Sequence, residues 1–182
     1  PANINQVFTH TDPNVSPKTY YYQYEIRPQD SCNTIYESQL SRSIKLEGEA
    51  KYDYTNVLSW NSYKSWIGLV SSYDLYRKDE FGNWNSISTL GMTDSSYIDN
   101  ISDVSSEDGI FCYKIVANEG PNSQNISFGI SENIASTSNE FCVTQWPPIH
   151  MPNAFTPEGA NPYFKPVSKY IDGQNYNMII YD

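Results

Sequence analysis

The residues of this 182-residue chain that could do chemistry are three cysteines, two histidines and a scatter of acidic side chains. Cys32, Cys112 and Cys142 offer thiols for a disulfide, a metal or nucleophilic attack. No Cys-x-x-Cys pair occurs, so a zinc centre is not expected. So few cysteines do not make a disulfide-dense scaffold, yet one matched pair in adjacent strands would fit an oxidising compartment. His10 and His150 stand apart from any serine-nucleophile motif and from a second ligand, so neither is expected to be catalytic. Asp99-Asn-Ile-Ser-Asp103 and Glu107-Asp108 gather carboxylates. Calcium needs several converging oxygens, however, and no Asp-x-Asp-x-Asp run is present. Both clusters are therefore expected to be solvated loops, and no enzyme activity, metal or cofactor is expected.

The elements that would position these residues are strands. Helical periodicity is scarce, whereas strand-like runs recur at short intervals with turn residues between them. The runs are Ser43 to Leu46, Val57 to Asn61, Val70 to Arg77, Trp84 to Thr89, Ser95 to Ile98, Gly109 to Ala117 and Ser138 to Thr144. Asp79-Glu-Phe-Gly-Asn83 is a hairpin turn signal between the third and fourth. Seven strands in about 100 residues is the expectation for an immunoglobulin-like sandwich. The polar segment from Glu119 to Ala135, with Ile126, Phe128 and Ile130 alternating, is either a recognition loop or a small extra hairpin.

Composition narrows the class. With 16 Tyr and 4 Trp, large and partly polar residues must fill the core, as suits an extracellular β-protein. The formal charge of −10, without a Lys/Arg cluster, argues against nucleic-acid binding and is read as solubility. No apolar run reaches bilayer-spanning length. Pro1 in place of an initiator Met, without a signal-like apolar run, suggests an internal or mature piece of a longer protein.

Leu58-Ser-Trp60, Tyr73-Asp-Leu-Tyr-Arg77 and Phe111-x-Tyr113-x-Ile115-x-Ala117 resemble a fibronectin type III domain. The resemblance spans roughly residues 43 to 145. It implies a core of Trp60, Tyr73, Phe111 and Tyr113, with Trp60 packed under Phe111 or Tyr113. It also makes the sixth and seventh strands sheet neighbours. Inward aromatics at Phe111 and Tyr113 turn Cys112 outward, so a cross-strand disulfide to Cys142 is expected if the Cβ atoms come close enough. Cys32 then has no partner in this chain. An internal repeat extends the pattern: Tyr22-x-Tyr24-x-Ile26-x-Pro28 matches Phe111-x-Tyr113-x-Ile115-x-Ala117, and Phe8 matches Tyr97 at the same spacing. This reads as tandem modules. Residues 1–42 are expected to be the last strands of a preceding fibronectin-like domain, with residues 27–37 as the loop before its final strand. Residues 43–146 are expected to form a complete domain.

Residues 147–182 carry a second resemblance. Pro152-Asn-Ala-Phe-Thr-Pro157, Phe164-Lys-Pro166 and Tyr176 to Asp182 resemble the start of the gliding-motility-type (type B) C-terminal sorting domain of the Bacteroidetes type IX secretion system. The family's glycine/aspartate turn is replaced here by Glu158-Gly-Ala-Asn-Pro-Tyr163. Asp182 stands where arginine-tryptophan-glycine would follow. What this resemblance implies is recognition by the type IX machinery and an outer-membrane β-barrel partner. The residues engaged would be Pro152, Asn153, Phe155, Thr156, Pro157, Tyr163 and Phe164.

The expected fold is thus all-β: immunoglobulin-like (fibronectin type III) sandwiches in tandem, then a truncated sorting domain. The expected function is that of the C-terminal region of a large secreted gliding or adhesion factor, extracellular and attached at the cell surface. Two other readings stay open. One is the accessory tail of a secreted hydrolase. The other is a carbohydrate-binding sandwich using Trp66, Trp84 or Trp146.

Overall fold

A computed structural model describes residues 9–104, 106, 108–121, 134–147, 149–151, 156, 158, 159, 167–170, 177, 179 and 181. The molecule is all-β, its strands paired antiparallel throughout. Among the described residues no helix is long and apolar enough to cross a membrane.

Alternation builds the larger sheet. Strands β5 (Val70–Lys78), β6 (Trp84–Gly91) and β8 (Ile110–Glu119) lie in the order β6-β5-β8, and β10 (Phe141–Thr144) follows on the far side of β8. The short β9 (Ala135–Thr137) also pairs with β8. Along β8 every second side chain is buried, and Phe111, Tyr113, Ile115 and Ala117 share that face. Tyr73 and Leu75 of β5 and Val143 of β10 extend it. The smaller sheet has the order β3 (Leu46–Ala50), β4 (Thr55–Trp60), β7 (Ser96–Asn100). Leu46, Leu58 and Trp60 face inward from it, and Ile44 and Ile101 join them. The apolar side chains of both sheets form one core cluster, so the body is sandwich-like. The ring facing Trp60 is that of Tyr73, with centroids 5.8 Å apart. Phe111 and Tyr113 lie in the same cluster.

Most strand limits shift from expectation by one or two residues; two larger differences share one reason. The first run was expected at Ser43 to Leu46, yet the ladder starts at Leu46. Upstream, Asn61 Oδ1 accepts from the Lys45 amide at 2.7 Å and Asn61 Nδ2 donates to the Ser43 carbonyl at 3.0 Å. A side chain, not a strand, satisfies that backbone. The last run, expected from Ser138 to Thr144, becomes a strand only at Phe141, the start of β10. Just before it Asn139 crosses to the other sheet, accepting from the Leu46 amide at 2.8 Å and donating to the Leu46 carbonyl at 3.0 Å.

The β5–β6 hairpin turns as its sequence indicates. Asp79 accepts amide hydrogen bonds from Phe81 (3.0 Å) and Asn83 (2.7 Å), and Gly82 takes the positive φ of 85° that favours glycine. Ile87 is an extra residue in β6, because the register slips between Leu75 and Tyr76.

Before the sandwich, β1 (Gln23–Tyr24) pairs with β2 (Ser41–Arg42). Hydrogen bonds from Ser38 to Ile26 and from Tyr36 to Pro28 prolong this ribbon, and it turns at Asp30–Asn33. The expected loop over residues 27–37 is therefore shorter, since Gln29 bridges Ile35. The ribbon is tied to the sandwich by Arg42, whose Nη2 donates to the Ser62 carbonyl at 2.7 Å, and by Ser65 Oγ donating to the Leu40 carbonyl. After the sandwich, β11 (Ile149–His150) pairs with β12 (Val167–Ser168).

Candidate functional site

The chemistry-bearing side chains gather at one end of the sandwich, where the tail meets it. They begin with an inversion in β7. Strand alternation in Ser96-Tyr-Ile-Asp-Asn100 must bury either Ile98 or its neighbours. Ile98 is 64% exposed and Asp99 is 5% exposed. Asp99 is thus not part of a solvated loop, as the acidic cluster suggested, but a buried strand residue. Its cost is offset by partners: Arg77 Nη1 lies 2.6 Å from Asp99 Oδ2, and the Tyr113 hydroxyl donates to the same oxygen at 2.8 Å. Asn56 Nδ2 donates to the Tyr113 oxygen at 2.7 Å, and Gln145 Nε2 donates to Asn56 Oδ1 at 2.8 Å. One chain of hydrogen bonds therefore links β5, β7, β8, β4 and the residue after β10. Burial, reinforced by the Asp99 charge, holds the Tyr113 phenol protonated far above its ordinary range.

The tail docks beside this network. Tyr170 sits edge-on to Phe111, centroids 5.6 Å apart and planes at 83°, and packs against Tyr54 at 6.4 Å. Its hydroxyl donates to the Ile101 carbonyl at 3.1 Å, and burial raises its pKa. Lys169 Nζ donates to the Ser102 carbonyl and stands 5.3 Å from the Tyr54 ring centre. The contact depends on Gly109, which has φ 67°. A Cβ there would lie 2.9 Å from that of Tyr170.

The disulfide lies on the other face of the larger sheet. Cys112 and Cys142 are direct partners in the β8–β10 register, Cα atoms 4.0 Å apart, and are bonded. Cys32 is exposed and free. The one group of three metal-ligand side chains among the described residues is Cys112, Glu140 and Cys142, and its two sulfurs are bonded to each other. His10 and His150 are exposed.

The remaining candidates are not gathered at this end. Trp66 stacks on Tyr63 at 4.0 Å in the β4–β5 connection. Trp84, at the start of β6, has the Lys78 and Lys114 ammonium groups 4.8 Å and 4.6 Å from its ring centre. Trp146 is largely exposed. Of the sorting motif, Thr156 is exposed. Pro152, Asn153, Phe155, Pro157, Tyr163 and Phe164 lie outside the described residues, as do Glu107, Ile126, Phe128, Ile130 and Phe8.

Sequence reasoning passed over Arg77, Asp99, Asn56, Gln145 and Tyr170 as site residues. The strand position of Asp99, two residues from Tyr97 on one face, was the available signal for its burial; nothing local marks Tyr170. Compared with known proteins, the chain matches no family model, no curated protein and no solved structure.

Proposed function

We propose that this chain is the C-terminal region of a large protein exported by a type IX system and displayed on the cell surface as a gliding or adhesion factor. In this reading residues 43–146 are a fibronectin type III-like spacer, and residues 147–182 open a sorting domain read by the export machinery and an outer-membrane barrel. The observation that carries it is the Pro152–Pro157 motif, set directly after a disulfide-bonded β-body.

Further features support the architecture. The strand orders β3-β4-β7 and β6-β5-β8-β10 are those a fibronectin-like module would have. A disulfide fits an oxidising exterior. The β1–β2 ribbon pairs Tyr24 with Ser41, as β8 pairs Tyr113 with Phe141. Its Tyr24, Ile26 and Tyr36 are exposed, while Glu25, Arg27 and Glu37 form ion pairs. A two-stranded ribbon cannot bury an apolar face alone, so it suits the last strands of a preceding module.

The test is deletion of residues 149–182 from the full-length protein. The sandwich should stay folded while the protein disappears from the cell surface. Normal surface levels of the deleted protein would refute the sorting assignment.

A further inference from the structure

We propose that β6 is a docking edge for an extended peptide that presents a lysine or arginine side chain. Two observations meet there, and neither depends on the sorting reading.

The first is the edge itself. Among the described strands of the sandwich, β3, β7 and β6 have one neighbour each in their sheets, and the short β9 and β10 both lie against β8. Charges, prolines, bulges and shortness protect such edges from pairing with other chains. Strand β3 carries Glu47 and Glu49, each bonded to a flanking lysine. Strand β7 is five residues long and carries Asp99, and β9 and β10 have three and four residues. Strand β6 has eight residues, Trp-Asn-Ser-Ile-Ser-Thr-Leu-Gly, with neither a charge nor a proline. Its one such device is the bulge at Ile87, near the middle of the strand.

The second is the cleft beside it. A cavity of about 700 Å³ is lined by Asn85 and Ile87 of β6, by Phe81 at the hairpin tip, and by Val104 and Asp108 across from them. Its charged lining is unbalanced. Arg77 is neutralised by Asp99 and Lys78 by Glu140, whereas Asp79, Glu80 and Asp108 have no cationic partner among the described residues. The amide of Asn83 bonded to Asp79 holds that carboxyl below its usual range, so it stays ionised. The three carboxylates do not converge closely enough to form a metal-ligand group. A long cationic side chain suits the cleft better. Its stem would lie on Ile87 and Val104, its charge would meet Glu80 and Asp108, and the exposed Phe81 ring would offer a cation–π face.

An added strand takes its affinity from main-chain hydrogen bonds and its specificity from alternate side chains. Paired to β6, it would direct every second side chain towards Asn85, Ile87 and the cleft.

The experiment is fluorescence anisotropy of the whole chain with labelled nine-residue peptides of alternating threonine and valine. One probe carries arginine at its centre, one carries glutamate there, and one is the arginine peptide N-methylated along one edge. The arginine peptide should bind at least about tenfold more tightly than either control, a difference of about 1.4 kcal/mol. Phe81→Ala should weaken it, and Glu80→Lys, an exposed change, should erase the preference for arginine over glutamate. Three results would overturn the proposal: no saturable binding of the arginine peptide, equal binding of all three probes, or sedimentation showing a dimer that Ser88→Lys dissociates. The last would make a second copy the occupant of β6.

Discussion

Asp99 places a carboxylate in the interior. A carboxylate in this position is tolerated because Arg77 and the Tyr113 hydroxyl both reach Oδ2. Removing one partner of a largely buried ion pair leaves the other uncompensated. Asp99→Ala should therefore cost about 3 kcal/mol or more, read as a lower urea midpoint. Replacing the pair together, Arg77→Met with Asp99→Leu, should cost less, because no charge is stranded. Tyr113 sets a limit on the alkaline side. Its folded-state pKa is raised above the ordinary 10.0, first by burial and then by Asp99. Its contribution is thus complete below pH 10 and is lost as pH rises further, since the unfolded chain ionises first. Phenolate absorbance should show one tyrosine that ionises only on unfolding, and Tyr113→Phe should remove that late component.

Among the elements, the β8–β10 pair is held twice over. Its ladder places Phe111 opposite Val143 and Tyr113 opposite Phe141, and the disulfide joins the pair between them. The bond closes a loop with a sequence separation of 30. In the chain-entropy picture that is worth about 3–4 kcal/mol. Replacing both cysteines with alanine should lower stability by about that amount, yet leave the strand register intact in amide hydrogen exchange, because packing also specifies it. Non-reducing peptide mapping should recover Cys112 linked to Cys142 and Cys32 apart from both.

At the scale of the molecule, the sandwich is an anchor for what precedes and follows it. Arg42 and Ser65 hold the ribbon, and Tyr170 and Lys169 hold the tail. In the tail's short strand pair Ile149 and His150 are exposed, so its order rests on this docking. Tyr170→Ala should free it, seen as faster proteolysis around residues 149–151 with little change in the sandwich's unfolding midpoint. Gly109→Ala should free it too. That change also costs the sandwich about 1–2 kcal/mol, because a side chain is strained at this φ.

Much of the β-body was legible locally. Alternation along Phe111, Tyr113, Ile115 and Ala117 marks one face of a strand, and Asp79 with Gly82 marks a tight turn, because both signals arise from neighbouring residues alone. Together with the strand order, the outward position of Cys112 made its pairing with Cys142 readable. Local signals do not say which face of a strand is covered. In β7 both faces were possible, and burial of Asp99 over Ile98 was decided by Arg77 and Tyr113, 22 and 14 residues away in sequence. The last strand starts at Phe141 and not at Ser138 because the Asn139 side chain finds Leu46, 93 residues away. Tyr170 belongs to the site only because the tail folds back over Gly109. Periodicity within a segment determines which side chains share a face; compensation of buried charge and amide groups comes from whatever the fold brings alongside, and only the tertiary structure decides that.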